Sequence, residues 1–178
     1  MQSKEAALIL TRTQIVPLQE MMELYGSDVW HYAFFLTRSR DAADDISQEV
    51  FLKAYRSAGA YRGQASFKTW LLTITRNTCF SWKRNCFWRR FLPLGSHGTA
   101  EYTRSAEKEA LGKQYTNRIW ELIMELPDKY REVLVLDMRQ ELSVAEMAAL
   151  LGVAQGTVKS RLSRARGKIR AAIKEEQL

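Results

Sequence analysis

Cysteine is scarce in this chain: Cys79 and Cys86 are the only two in 178 residues. Two thiols build no disulfide framework, and neither has the cysteine or histidine company of a zinc site. Histidine is as rare, with His31 and His97 isolated from one another. No serine or cysteine has a plausible base nearby in sequence, so no catalytic group is visible, and nothing calls for a metal or a cofactor. Only three prolines and nine glycines interrupt the chain, and strand-like alternation of any length is missing. No apolar run is long enough to cross a membrane, for which ~20 residues are needed. The N-terminal Met-Gln-Ser-Lys-Glu has no basic segment leading into an apolar stretch, so the expectation is no secretory signal and a cytoplasmic protein.

Acid is missing too, but locally. Lys and Arg number 27 against 20 Asp and Glu, a net +7. Between Val50 and Ala100 there is no acid at all, while Lys53, Arg56, Arg62, Lys68, Arg76, Lys83, Arg84, Arg89 and Arg90 fall inside. Ten aromatic residues share that stretch, from Phe51 to Phe91. A second acid-free window, Met147 to Lys174, holds Lys159, Arg161, Arg164, Arg166, Lys168 and Arg170 with no aromatic. A solvated surface over an aromatic core explains one zone as well as binding does. Polyanion binding explains the two together better.

What is present reads as helix. Hydrophobic residues make up 46% of the chain, which excludes a wholly disordered polypeptide. Residues 14–85 read as helical almost throughout. Residues 86–112 contain the breakers Pro93, Gly95, Ser96, Gly98 and Thr99 and exceed ordinary helix–helix loops, so they read as a linker. Residues 113–178 are helical again. The expected fold is all-α: two small helical domains, each burying only ~60% of its unfolded surface and therefore marginal alone.

The second block carries the sharper pattern. Ser143 and Glu146 form a capping box opening a short helix with Val144, Met147, Ala148 and Leu151 inward. Gly152 supplies a turn. A second helix follows, with Val158, Leu162, Ala165 and Ile169 on one narrow stripe. Gly156, Ser160, Ser163, Arg164 and Gly167 then lie opposite, flanked by Thr157 and Lys159. A short helix, a glycine turn and a polar-faced basic helix make a helix-turn-helix, whose Ser, Lys and Arg side chains can reach base edges. Arg161, Arg166 and Lys168 sit nearer the shoulders, where phosphates would lie. Upstream, Asn117–Leu126 and Tyr130–Met138 read as supporting helices broken at Pro127.

In the first block, Asp41, Asp44, Asp45, Gln48 and Glu49 share one helical face, with Ala43, Ile46, Val50 and Ala54 on the other. Such a stripe is a solvated face, a metal site or a dock for a basic partner. A metal site needs converging ligands, which do not follow; the other two readings stay close. The helix from Phe67 to about Asn85 places Leu71, Ile74, Thr78 and Trp82 on one side. Thr69, Thr73, Arg76, Phe80 and Arg84 lie opposite, with Asn77 and Lys83 alongside. Cations beside an exposed aromatic suit single-stranded nucleic acid. The loop before it, Tyr61 to Ser66, could hold a base drawn from the stack.

These strings, in this order, resemble the extracytoplasmic-function (ECF, group 4) sigma factors of bacterial RNA polymerase. Asp44-Asp45-Ile46-Ser47-Gln48-Glu49-Val50-Phe51-Leu52-Lys53-Ala54-Tyr55 resembles the family's region 2.2. Phe67-Lys68-Thr69-Trp70-Leu71 with Arg76-Asn77 resembles regions 2.3 and 2.4. Leu126-Pro127-Asp128-Lys129-Tyr130-Arg131-Glu132-Val133 resembles the start of region 4, and Gly156 through Arg166 the −35 reading helix of region 4.2. The middle segment is too short for a region 3.

The resemblance implies a non-catalytic specificity subunit. Asp41, Asp44, Asp45, Gln48, Glu49 and Lys53 would dock on the β′ clamp coiled coil of core polymerase, with the β flap as a second contact. Tyr61, Arg62, Gly63, Gln64, Ser66, Lys68, Trp70, Arg76, Asn77, Phe80, Lys83 and Arg84 would melt and capture the −10 non-template strand. Gln155, Thr157, Lys159, Ser160, Arg161, Ser163, Arg164 and Arg166 would read −35 duplex. An anti-sigma factor, in some members membrane-bound, would control it. Ser81 stands where the family usually has Asp, Ala154 where Pro or Ser is frequent, and Glu141 in place of a common Gly. Two rivals remain: a free-standing helix-turn-helix regulator, which leaves the aromatic-cationic helix unused, and an acid-cluster metallonuclease.

Overall fold

The computed structural model of the chain describes residues 18–91 and 116–175. Over those residues it contains seven α-helices, one 3₁₀ turn and no strand. They are α1 (Leu18–Thr37), α2 (Arg40–Ser57), the turn Ala58–Ala60, α3 (Phe67–Phe91), α4 (Thr116–Glu125), α5 (Asp128–Met138), α6 (Val144–Leu151) and α7 (Gln155–Glu175). The chain divides into two compact units that part within α3, between Ser81 and Trp82. The helix expected over 14–17 and most of the expected linker fall outside the described residues.

In the first unit α1 packs along α2. Met21, Tyr25, Val29, Tyr32 and Leu36 recur at helical spacing on α1 and are buried. They meet Ala42, Ala43, Ile46, Val50, Phe51 and Ala54 of α2, where the alanines let the two helices approach. The corner between them takes two residues. Arg38 adopts a left-handed φ of 59° and donates its N–H to Phe34 O at 2.7 Å. Ser39 then caps α2, its Oγ accepting from Ala42 N at 3.2 Å. α3 completes the core with Leu71, Leu72, Thr75, Thr78 and Cys79.

α3 differs from its sequence pattern in two ways. It continues to Phe91, six residues past Asn85, because no breaker intervenes before Pro93. Its buried stripe is also rotated: Thr69, expected outward, is buried. The Thr69 N–H donates to Ser66 Oγ at 3.1 Å, and the two hydroxyls lie 2.8 Å apart. Thr69 is therefore part of the helix cap, which a wheel of apolar residues does not register.

In the second unit α5 and α6 pack against α7. Val158, Leu162 and Ala165 of α7 are buried among Val133, Leu134, Leu136, Met147 and Leu151; Leu162 alone contributes about 1.5–3 kcal/mol by leaving water. Met138, the last residue of α5, is among the exposed large apolar side chains.

The α4–α5 corner is held by one side chain. Arg131 is 1% exposed, and its Nη1 donates to Leu126 O at 2.9 Å and Met124 O at 3.3 Å. Its Nη2 reaches Asp128 Oδ1 at 2.6 Å. The guanidinium thus satisfies carbonyls that the end of α4 leaves without helical partners. Partial burial alone would raise the Asp128 carboxyl, but the Lys83 ammonium and the Arg131 guanidinium hold it below the ordinary value.

Candidate nucleic-acid interfaces and docking face

α6 and α7 are joined as the sequence requires. Ser143 Oγ accepts from Glu146 N at 3.2 Å, and Glu146 Oε2 accepts from Ser143 N at 2.9 Å, the reciprocal capping box. Gly152 ends α6 at φ 67°, ψ 38°, a left-handed conformation that glycine enters without a Cβ penalty. Val153 N returns to Ala148 O at 3.1 Å, closing the turn as a Schellman-type cap.

This turn fixes which face of α7 points outward. Gln155, Gly156, Lys159, Ser160, Ser163 and Arg164 are all exposed, while Thr157 and Arg161 are half-buried at the shoulders. Ser160 Oγ donates back to Thr157 O at 3.0 Å, leaving its lone pairs outward. Arg166 is exposed but bridged to Asp137 of α5 at 2.7 Å, so its charge is partly spent within the unit. Lys159 and Arg164 make no ion pair among the described residues.

The candidates of the first block do not form one pocket. Four aromatic rings cluster where the loop 61–66 enters α3. Tyr61 lies 5.5 Å from Phe67 and 5.2 Å from Trp70, Phe67 lies 5.3 Å from Trp70, and Tyr25 of α1 lies 5.4 Å from Phe67. Arg62, Gly63 and Gln64 form the exposed tip, with Gly63 at φ 71°. Lys68 is bridged to Asp28 of α1 at 3.0 Å. Phe80 lies 12 residues beyond Lys68, about 18 Å along the helix. Phe80 is 42% exposed, with the Arg76 guanidinium 4.6 Å from its ring centroid, a cation–π pair at the surface. Asn77 and Arg84 are exposed on the same helix, and Lys83 is ion-paired with Asp128 at 2.8 Å. The set is a strip along one helix, with a loop at its head.

On α2, Asp41, Asp44, Asp45, Gln48 and Glu49 are exposed on one face, opposite buried Ala43, Ile46, Val50 and Ala54. Two of these carboxylates are engaged. Asp44 Oδ1 accepts from Trp30 Nε1 at 2.6 Å, and Glu49 meets Lys53 at 2.6 Å. Lys53 Nζ also donates to Thr78 Oγ1 of α3 at 3.2 Å, so it ties two helices together. Sequence reasoning missed two members of this face. Leu52 and Tyr55 are 47% and 44% exposed, and Leu52 lies three and four residues beyond Glu49 and Gln48. An apolar residue in phase with a polar stripe was the available signal. Among the described residues, no three His, Cys, Asp or Glu side chains are grouped as a metal ion would need.

Residues 21–88 match the family Sigma-70 region 2, and residues 116–169 match Sigma-70, region 4. Over 162 residues the chain is 30% identical to the ECF RNA polymerase sigma factor SigC of Mycobacterium tuberculosis, covering 90% of this chain and 85% of the relative. The chain belongs to the ECF sigma factors.

A second member, SigW of Bacillus subtilis, is 27% identical over 165 residues, with 88% of each chain covered. Among solved structures, the sigma factor RpoE in complex with the anti-sigma factor NepR from Bartonella quintana is similar with a TM-score of 0.70. That match has 24% identity and covers 88% of this chain and 96% of the other. CnrH in complex with the cytosolic domain of CnrY gives a TM-score of 0.67 at 21% identity, covering 97% and 94%. At these identities the likeness is one of fold. This sigma factor has no helix among its described residues long and apolar enough to cross a membrane.

Proposed function

We propose that this sigma factor directs core RNA polymerase to promoters through three surfaces. The outward face of α7 reads the −35 duplex: Lys159, Ser160, Ser163 and Arg164 contact base edges, and Gln155, Thr157, Arg161 and Arg166 contact the backbone or flanking bases. A Cβ at Gly156 would meet no protein atom within 4 Å, so the protein itself does not require glycine there; close approach to a groove gives it a use. The acidic face of α2 docks on the β′ clamp, with Leu52 and Tyr55 adding apolar area to a charged rim, and the second unit also meets the β flap. Fixing both surfaces presents the loop 61–66 and the strip Lys68–Arg84 to the −10 element.

Melting then requires no chemistry from this chain. A base extruded from the duplex costs a few kcal/mol to unstack, and capture of the non-template strand offsets that cost. Exposed Phe80 under Arg76 offers a stacking surface, and Arg62 and Arg84 offer cations for phosphates, with the charge of Lys83 partly spent on Asp128. The bond-making belongs to the polymerase. The protein acts in the cytoplasm, and an anti-sigma protein that covers α2 or α7 would hold it inactive.

The observation that carries this reading is α7: one side locked into the bundle, the other a Ser/Lys/Arg surface without acid from Gln155 to Lys174. An electrophoretic shift of promoter duplex with and without core polymerase tests it, joined to start-site mapping. Weak binding alone, with specific binding and new transcript starts in the presence of core, is the expected result. Tight operator-like binding that core does not change would instead mark a free-standing regulator.

A further inference from the structure

The loop between the 3₁₀ turn and α3 has to be stiff to hold a base, yet it is short of secondary structure. Its ends are joined by one side chain. Tyr61 Oη donates to Ala65 O at 2.5 Å, closing a ring around Arg62, Gly63 and Gln64. The Tyr61 ring is itself held, edge-on to Phe67 at 88° and tilted on Trp70 at 44°. Below Ala65, Ser66 is bound twice over: its Oγ accepts from Thr69 N, and its carbonyl accepts from Trp70 N at 3.0 Å. Above Tyr61, its own N–H donates to Ala58 O at 3.1 Å. The tip turns through Gly63 in the left-handed region. Tyr61 and Ala65 are half-buried, whereas all three tip residues are exposed.

A tyrosine whose ring is packed on two aromatics and whose hydroxyl is committed to a backbone carbonyl is poorly placed to stack on an incoming base. We infer that Tyr61 is a positioning residue: its hydroxyl latches the loop shut, and the extruded base is held by the tip Arg62–Gly63–Gln64 rather than by the Tyr61 ring. This rests on the reading that the loop captures a −10 base, and it changes what Tyr61 does within that reading. Pre-forming the tip removes the entropy of ordering it when the strand arrives.

The discriminating variant is Tyr61→Phe, which keeps the ring and its packing and removes only the latch. The measurement is the affinity of the complete chain, assembled with bacterial core polymerase, for a fluorescent non-template oligonucleotide of a promoter mapped by start-site sequencing. A series carrying an abasic site at each −10 position in turn is measured beside it. Tyr61→Phe is expected to weaken binding of the intact strand about 2- to 10-fold, the worth of one hydrogen bond, and to match wild type on the strand whose held base is missing. Gly63→Ala, which strains the tip without touching the aromatic cluster, is expected to give the same position-specific loss. If Tyr61→Phe binds every strand as wild type does, the latch is wrong; with Tyr61→Ala impaired as well, the ring is the base platform. An equal loss on every strand, abasic included, overturns positioning in favour of a general structural role. If the wild-type complex is indifferent to all −10 bases, base capture by the loop fails, and the latch falls with it.

Discussion

Glu141 holds φ at 55°, a left-handed conformation that costs a residue with a Cβ roughly 1–2 kcal/mol. It sits just before Leu142 and the Ser143 cap, and the Leu142 N–H returns to Leu136 O at 3.0 Å, so the turn demands this backbone whatever the side chain. The geometry gives a physical reason for the glycine usual in the family at this point. Glu141→Gly is expected to stabilise the second unit by about 1 kcal/mol after allowance for the freer unfolded chain, raising its Tm by a few degrees. Thermal unfolding followed by circular dichroism reads this, and an unchanged or lower Tm would show that Glu141 makes contacts that repay its strain. Conformation of this kind is not legible in one sequence: glutamate carries no signal for positive φ, and neither does Arg38, which adopts φ 59° at the α1–α2 corner.

Among the elements, α7 was the most legible, because a helix buried on one side only writes its orientation into its sequence. Val158, Leu162 and Ala165 are inward, and Lys159, Ser160, Ser163 and Arg164 outward, as the spacing predicts. α3 was less legible for the same reason reversed. Its buried side mixes Leu71 and Leu72 with Thr75, Thr78 and Cys79, and threonines that donate to their own helix, as Thr75 does to Leu71 O at 2.9 Å, pass for surface residues. The aromatic cluster at the head of α3 was hidden further, because Tyr25 comes from a helix some forty residues away in sequence. The outward face of α7 yields a functional expectation. Arg164→Ala should cost about 1–3 kcal/mol at one −35 base pair and relax the preference there, while other positions keep theirs. Competitive binding of the polymerase complex to a library varied across the −35 element measures this, and an unaltered profile would remove Arg164 from base reading.

For the molecule as a whole, the division of charge matters more than its sum. A chain with net +7 carries four of its 20 acidic residues together on α2, as Asp41, Asp44, Asp45 and Glu49, and none between Val50 and Ala100 or between Met147 and Lys174, a separation that the proposed docking and DNA-reading faces both require. Reversing one carboxylate separates the two tasks. Asp45→Arg is expected to weaken association with core polymerase at least ~10-fold, one like-charge contact being worth more than 1.4 kcal/mol at a desolvated interface. Its thermal stability and its weak duplex binding alone should not change. Titration of labelled protein with core checks the first, and equal affinity would take the docking role from that face.

The indole of Trp30 lends this face an asymmetry. Because Asp44 is fastened to α1 through it, substituting Asp44 disturbs the seam between two core helices as well as any outside partner, and a deficit there has two sources that binding data alone cannot divide. Asp45, its neighbour, has no such inward tie among the described residues. Adjacent exposed carboxylates are therefore unequal instruments, and a charge-reversal survey of α2 would overstate the contribution of one of them unless the melting temperature of every variant were measured beside its affinity.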